Sequence, residues 1–265
     1  MNYEFIKVSH QDHLCIITID RPDALNALSP ATSFEMAEAF DTFEANKNLW
    51  VAIVTGSGDK AFSVGGDIKV MVNAEQAEDY VLPESGYGGL TSRVGCHKPI
   101  IAAVNGLALG GGFEVALAAD IIIAAEGAVF GLPEPKIGTA AVAGGMHRLV
   151  RQIGLKAAMG ILLTADSVSA QEGHRLGFVN SVVPGDQLME AAFNTALKII
   201  QCAPLAIQAT KQAVMEGLNF ASLDELQQAQ KDGQFDRLET MFQSRDIKEG
   251  LTAFVEKRKP NWQAK

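Results

Sequence analysis

The chain has 265 residues, 48% of them hydrophobic and 20% charged, with a formal net charge of −9. That length suffices for one large domain, or a domain with a small appendage, around a substantial core, and the acidic balance argues against a general nucleic-acid surface. Three cysteines, Cys15, Cys96 and Cys202, show no ligand spacing, so neither a zinc site nor a disulfide framework is indicated and a reducing, cytoplasmic setting fits. The first residues lack the basic and apolar regions of a secretory signal. No low-complexity linker or fixed-period repeat divides the chain.

The apolar, β-branched runs Leu14-Cys15-Ile16-Ile17-Thr18-Ile19 and Val51-Ala52-Ile53-Val54-Thr55 read as buried strands. Between them Ser29 is an N-cap, with Pro30 at the first helical position. Phe34, Ala37, Phe40 and Phe43 then recur at near-helical spacing as far as Asn46, a stripe expected in the core. Pro83, Gly86, Gly88 and Gly89 break the periodicity of residues 70–93. That stretch is expected to form a mobile connection over a ligand site, between a short helix and the next strand. Residues 100–125 are long and apolar enough to suggest a membrane span, but Asn105, three glycines, Glu114 and Asp120 interrupt them. They read instead as a strand over 100–104, a glycine-rich turn, a helix over 113–119 and a strand over 120–124.

Beyond Gly154 the pattern is largely helical. Ser169-Ala170-Gln171-Glu172 is a capping box, 179–183 the last strand, and 188–202 an amphipathic helix. Pro204 opens another helix, and 246–259 another, with apolar Ile247, Leu251 and Phe254. Alternating strands and helices give an α/β class. A composition change near Ala203 separates a core over 1–202 from a helical C-terminal region over 203–265, whose apolar faces either close over the core or join subunits.

Two carboxylates stand out within apolar stretches: Glu114 in Leu109-Gly110-Gly111-Gly112-Phe113-Glu114, and Glu134 in Phe130-Gly131-Leu132-Pro133-Glu134. Upstream, Phe62-Ser63-Val64-Gly65-Gly66-Asp67-Ile68 is a turn whose glycines let backbone come close to a ligand. Each carboxylate also has a plain structural reading. Glu114 suits the positive end of a helix, and Glu134 suits a surface turn between two prolines.

In that order, the three segments resemble the crotonase (enoyl-CoA hydratase/isomerase) superfamily, from about Tyr3 to the end of the chain. The resemblance implies a spiral of ββα turns followed by trimerising helices, often assembled as a dimer of trimers. It implies an enoyl-CoA hydratase, a hydro-lyase adding water across the 2,3 double bond of an enoyl-CoA thioester. In the family two backbone amides form an oxyanion hole, at positions matching Gly66 and Gly111. The two hydratase glutamates match Glu114, which positions and activates water, and Glu134, which protonates the α-carbon. Such donors are worth about 2.7–4 kcal/mol each, and general acid–base work about 10²–10⁴-fold.

The resemblance also puts the adenine and pantetheine of coenzyme A against Ala24, Leu25, Asp67 and Ile68, with Lys69 nearby. Phe254 and Lys257 match residues that reach a neighbouring subunit's nucleotide. Lys60, Lys69, Lys257, Arg258 and Lys259 are candidate partners for its phosphates. Coenzyme A belongs to the substrate, so no separate cofactor or metal is expected, and the partners are the thioester and further copies of the chain, without nucleic acid or membrane. Many hydratases carry glycine, often after proline, in the loop after the second glutamate, where its amide holds the water. Here that loop reads Gly138-Thr139-Ala140-Ala141-Val142-Ala143-Gly144-Gly145, and Val142 is expected to add bulk to the acyl pocket.

Other readings are enoyl-CoA isomerase, another crotonase-type acyl-CoA lyase, and a catalytically silent acyl-CoA-binding oligomer. Gly56-Ser57-Gly58-Asp59-Lys60-Ala61 matches a loose GxGxxA dinucleotide fingerprint, but the segment after it reads as extended rather than helical. Walker A, GxSxG and HExxH motifs are absent from the sequence. His10, His13, His97, His147 and His174 have no metal-like spacing, although His147 and the loop residues Tyr80 and Tyr87 are each placed to face a ligand or to pack on the surface.

Overall fold

The computed structural model describes residues 3–73 and 80–265. They form two compact units, one from Met1–Val94 and Ile100–Asn194, the other from Gly95–Pro99 and Thr195–Lys265. In the first unit β1 (Ile6–Gln11) pairs antiparallel with β2 (Leu14–Ile19). After α1 (Pro30–Ala45) come β3 (Val51–Gly56), β4 (Ala61–Ser63) and α2 (Ile68–Asn73). Next are β5 (Ile100–Val104), β6 (Leu107–Leu109) and α3 (Gly111–Ala118), then β7 (Ile121–Ala125) and β8 (Val129–Gly131). The unit continues through α4 (Gly145–Ile153), α5 (Leu155–Thr164), β9 (Val168–Ser169), α6 (Ala170–Leu176) and β10 (Ser181–Val183).

A six-stranded sheet runs β1-β2-β3-β5-β7-β10 and a four-stranded sheet runs β4-β6-β8-β9. From β3 to β8, successive strands alternate between the two sheets, and the neighbours β3, β5 and β7 are parallel, as are β4, β6 and β8. Two such steps, β3-β4-α2 and β5-β6-α3, are complete ββα turns. Every residue of β3 is buried, as expected of a central parallel strand covered on both faces.

α1 starts as its sequence requires. The Ser29 hydroxyl accepts the Thr32 N–H, and Pro30 needs no hydrogen bond at the first position. Phe40 and Phe43 are fully buried, but Phe34 is 49% exposed, so the apolar stripe is narrower than its spacing implied. β1, unmarked in the sequence because Lys7, Ser9, His10 and Gln11 dilute its pattern, is an edge strand of the six-stranded sheet. Residues 70–93 contain the end of α2 and a short 3₁₀ turn at Tyr87–Gly89. The expected connection over the ligand site falls partly on residues 74–79, which lie outside the described residues.

Phe113, Phe130 and Phe178 meet with ring centroids 5.1–5.2 Å apart. Phe113 anchors α3, whose first seven residues are all buried. At the capping box on α6, the Ser169 hydroxyl accepts the Glu172 N–H while the Glu172 carboxylate turns to Arg175.

α7 (Leu188–Ile200) carries the chain into the second unit, which contains α8 (Pro204–Gly217), α9 (Leu223–Lys231), α10 (Asp236–Phe242) and α11 (Arg245–Glu256). Its tail is held by Asp246, which is buried and accepts the N–H groups of Gln263 and Ala264. Large apolar side chains remain exposed on α8 and α11, among them Val214, Met215, Leu251 and Phe254.

Candidate active site

Two backbone amides are aimed by the bonds their neighbours make. Leu28 lies in a parallel bridge with Gly66, and its N–H donates to Gly65 O at 2.7 Å. A trans peptide points its C=O and N–H in opposite directions, so fixing Gly65 O toward Leu28 turns the Gly66 N–H away from that strand. The same logic holds at α3. Gly110 O accepts the Glu114 N–H at 3.0 Å as the first helical bond, so the Gly111 N–H leaves the helix at its N-terminus, where the dipole favours negative charge. Among the described residues, neither amide has a protein acceptor.

Glycine is required here by geometry. Gly110 has φ 52° and ψ −129°, a backbone conformation that side-chain-bearing residues avoid. A Cβ on Gly112 would stand 2.1 Å from Ser63 O, so only glycine lets α3 seat directly on the 63–67 turn. That contact brings the two amides into one neighbourhood: a Cβ on Gly65 would lie 2.7 Å from the Gly111 nitrogen.

Glu114, on the first turn of α3, is 2% exposed. One carboxylate oxygen accepts the Gly145 N–H at 2.8 Å, at the start of α4. Burial is the largest influence and raises its pKa to about 7, with the Glu134 charge adding to the rise. The Gly145 and Ala143 amides and the Arg148 guanidinium oppose it by favouring the ionised form. Glu134 opens a 3₁₀ turn, Glu134–Ile137, directly after β8. Burial raises its pKa, opposed by its own backbone amide. Its Oε2 is buried without a hydrogen-bond partner among the described residues, and its Oε1 lies 3.1 Å from where a Cβ on Gly110 would be. The Gly110 N–H bonds to Gly131 O at 2.9 Å, which ties the glycine turn to the strand that delivers Glu134.

In the loop that supports Glu114, the Val142 N–H donates to Ala140 O at 2.8 Å and so offers no amide to the carboxylates, while its side chain is 72% exposed. Gly145 and Ala143 serve Glu114 instead. His147 is exposed, whereas Arg148 is half-buried and donates to Thr91 O at 2.9 Å. Helical phase would have marked Arg148, since position 148 is three after Gly145 and shares its face, while 147 does not. Tyr87 was equally unresolved by sequence. Its hydroxyl lies 3.1 Å from the Cβ position of Gly66 and its ring 3.4 Å from that of Gly111.

The remaining sites expected from the resemblance fall in two places. Ala24 ends a 3₁₀ turn and Leu25 follows it in the left-handed region at φ 51°. Their N–H groups donate to Arg21 O and Pro22 O, and their carbonyls accept from Ala27 and Val64. Leu25 and Lys60 border a cavity of about 230 Å³ with Asn26, Ser57 and Asp59. The Asp67 carboxylate is held by Arg21 at 2.9 Å, leaving backbone rather than side chain for a ligand, while Ile68 and Lys69 are exposed. In the second unit Phe254 is 85% exposed on α11 and Lys257 is its C-cap. Arg258 is paired with Glu249 at 2.6 and 3.0 Å and with Glu256 at 2.6 Å. No group of acidic, histidine or cysteine side chains among the described residues is arranged to hold a metal ion. No helix among them is long and apolar enough to cross a membrane.

Buried carboxylic acids beside two converging amides can trade protons with a substrate whose carbonyl oxygen gathers negative charge. Comparison with known proteins agrees with that chemistry. The family model for enoyl-CoA hydratase/isomerase matches residues 9–265. A protein named carnitinyl-CoA dehydratase from Salmonella arizonae is 40% identical over 259 residues, which are 98% of each chain. The crystal structure of an enoyl-CoA hydratase from Mycobacterium marinum superposes with a TM-score of 0.90 at 40% identity, covering 98% of this chain and 99% of that one. An enoyl-CoA hydratase from Bacillus anthracis gives 0.90 at 34% identity over 99% and 100% of the two chains.

Proposed function

The chain belongs to the enoyl-CoA hydratase/isomerase family, and from that premise we propose that it hydrates the 2,3 double bond of an enoyl-CoA thioester. The observation that carries this reading is the pairing of two carboxyl groups of raised pKa with two backbone amides that have no protein acceptor. The thioester oxygen sits between the Gly66 and Gly111 N–H groups. Glu114, ionised, takes a proton from water as its oxygen bonds to the β-carbon. The π electrons move to the thioester oxygen, and return of that charge through the α-carbon takes the proton of Glu134. One turnover therefore leaves Glu114 protonated and Glu134 ionised, and proton exchange with solvent restores the start.

The coenzyme A portion is assigned to Ala24, Leu25, Asp67, Ile68 and Lys69. Phe254 and Lys257 contribute from a neighbouring copy, a reading supported by the exposed apolar side chains of α8 and α11. The similarity to a carnitinyl-CoA dehydratase favours a second reading with the same residues, in which the steps run backward and water leaves a 3-hydroxyacyl-CoA.

The test is loss of conjugated-thioester absorbance with trans-2-enoyl-CoAs of short, long, branched and aromatic acyl groups. Glu134→Gln should lower turnover by about 10²–10⁴-fold while coenzyme A binding persists. A silent binder would show no turnover to lose.

A further inference from the structure

Gly66 is the one member of the amide pair that no helix holds in place. Its aim depends on the Leu28 bridge, and that bridge has an unequal pair of bonds. Leu28 N–H to Gly65 O is short at 2.7 Å, whereas the Asp67 N–H to Leu28 O is long at 3.4 Å. The Leu28 carbonyl has a better partner in the Tyr80 hydroxyl, which donates to it at 2.9 Å. Tyr87 lies beside Tyr80, with ring centroids 6.4 Å apart. The two rings are tilted at 44° rather than stacked.

Tyr87 closes the arrangement on the other side. Its hydroxyl and the Met71 methyl occupy the space where a Gly66 side chain would stand, with 3.1 and 2.3 Å to the Cβ position. The φ of Gly66 is not positive, so glycine serves there to admit these two side chains rather than to bend the chain. Both phenols are half-buried, and burial raises the pKa of each above that of an ordinary phenol.

We propose that Tyr80 and Tyr87 are positioning residues of the oxyanion hole, holding Leu28 from one side and Gly66 from the other so that the Gly66 N–H meets the thioester oxygen. The inference rests on the hydratase reading. Removing the Tyr80 hydroxyl leaves the Leu28 carbonyl only the long Asp67 bond, and removing the Tyr87 hydroxyl opens space against Gly66, so either change loosens the segment that carries the amide. Loss of a whole oxyanion donor costs about 10²–10³ in kcat, so a loosened one should cost roughly 10-fold or more.

The experiment uses Tyr80→Phe and Tyr87→Phe in the full chain and three readouts: thermal unfolding, hydration kinetics, and the absorption band of bound cinnamoyl-CoA. Polarisation of the thioester carbonyl by the two amides moves that band to the red. Both variants should show lower kcat, nearly unchanged KM and a smaller red shift. A full red shift and parental kcat in both would overturn the positioning role, and so would a lower Tm accompanied by a full red shift, which is the mark of a merely structural hydroxyl. A parent enzyme that neither hydrates enoyl-CoA nor shifts the band would overturn the hydratase reading itself, and the inference with it.

Discussion

Gly110→Ala tests the site at the point where backbone conformation and chemistry meet. At φ 52° and ψ −129° an alanine is strained by about 1–3 kcal/mol. In a chain of this size each kcal/mol lowers Tm by about 2–4 °C, so the strain alone predicts a fall of roughly 2–12 °C. The new methyl would also lie 3.1 Å from Glu134 Oε1 and 3.7 Å from its Cδ. Relief of both conflicts comes most directly from rotating the Gly110–Gly111 peptide, which turns the Gly111 N–H out of line. Loss of that donor is worth about 2.7–4 kcal/mol, or 10²–10³ in kcat. Gly177→Ala is the matched control, since Gly177 has φ +103° and nothing within 4 Å of an added Cβ. It should lose stability and keep its rate. Differential scanning calorimetry and enoyl-CoA hydration assays on both variants decide the matter, and a Gly110→Ala enzyme with parental kcat would refute the aimed-amide argument.

Two titrations follow from the raised pKa of Glu114. Because the base must be ionised, kcat/KM should rise with pH through about 7, and the residual rate of Glu114→Gln should lack that limb, as a pH profile would reveal. The folded chain binds the Glu114 proton more tightly than the unfolded chain does, so stability should fall as pH rises from about 4.5 to about 7. Glu114→Gln should flatten that slope in denaturant titrations. Arg148→Met removes a cation that favours ionised Glu114, so the ascending limb should move to higher pH, with Arg148→Lys restoring part of the shift.

The helix starting at Pro30 and the strands of the six-stranded sheet from β2 onward were legible because capping chemistry and burial on both faces leave strong local patterns. The carboxylates were legible for the opposite reason: a charge inside an apolar run conflicts with its surroundings, and such conflicts mark sites. What could not be read was contact between distant segments. Nothing near Leu28 announces that its N–H sets the direction of the Gly66 amide, and nothing near Tyr80 announces its bond to Leu28 O across 52 positions. Where the Val142 amide points was equally hidden, because its bond to Ala140 O is set by the backbone rather than by residue type. Arg148 was hidden behind a neighbouring histidine that periodicity alone would have set aside.

The raised pKa values and the aimed amides are not separate achievements of the fold, and Phe113→Ala separates their common cause. Phe113 sits between Gly112, seated against Ser63 O, and Glu114, and it is fully buried against Phe130 and Phe178. Truncation of such a ring costs about 3–5 kcal/mol, which at 2–4 °C per kcal/mol predicts a Tm roughly 6–20 °C lower. If burial around α3 is what lifts Glu114, water admitted to the vacated volume should lower its pKa toward the ordinary carboxylate range. The ascending limb of the pH profile would then move to lower pH even at temperatures where the variant is fully folded. A destabilised Phe113→Ala enzyme whose limb stays near 7 would show instead that the Glu134 charge, not burial, holds Glu114 up, and Glu134→Gln would then be the substitution that moves it.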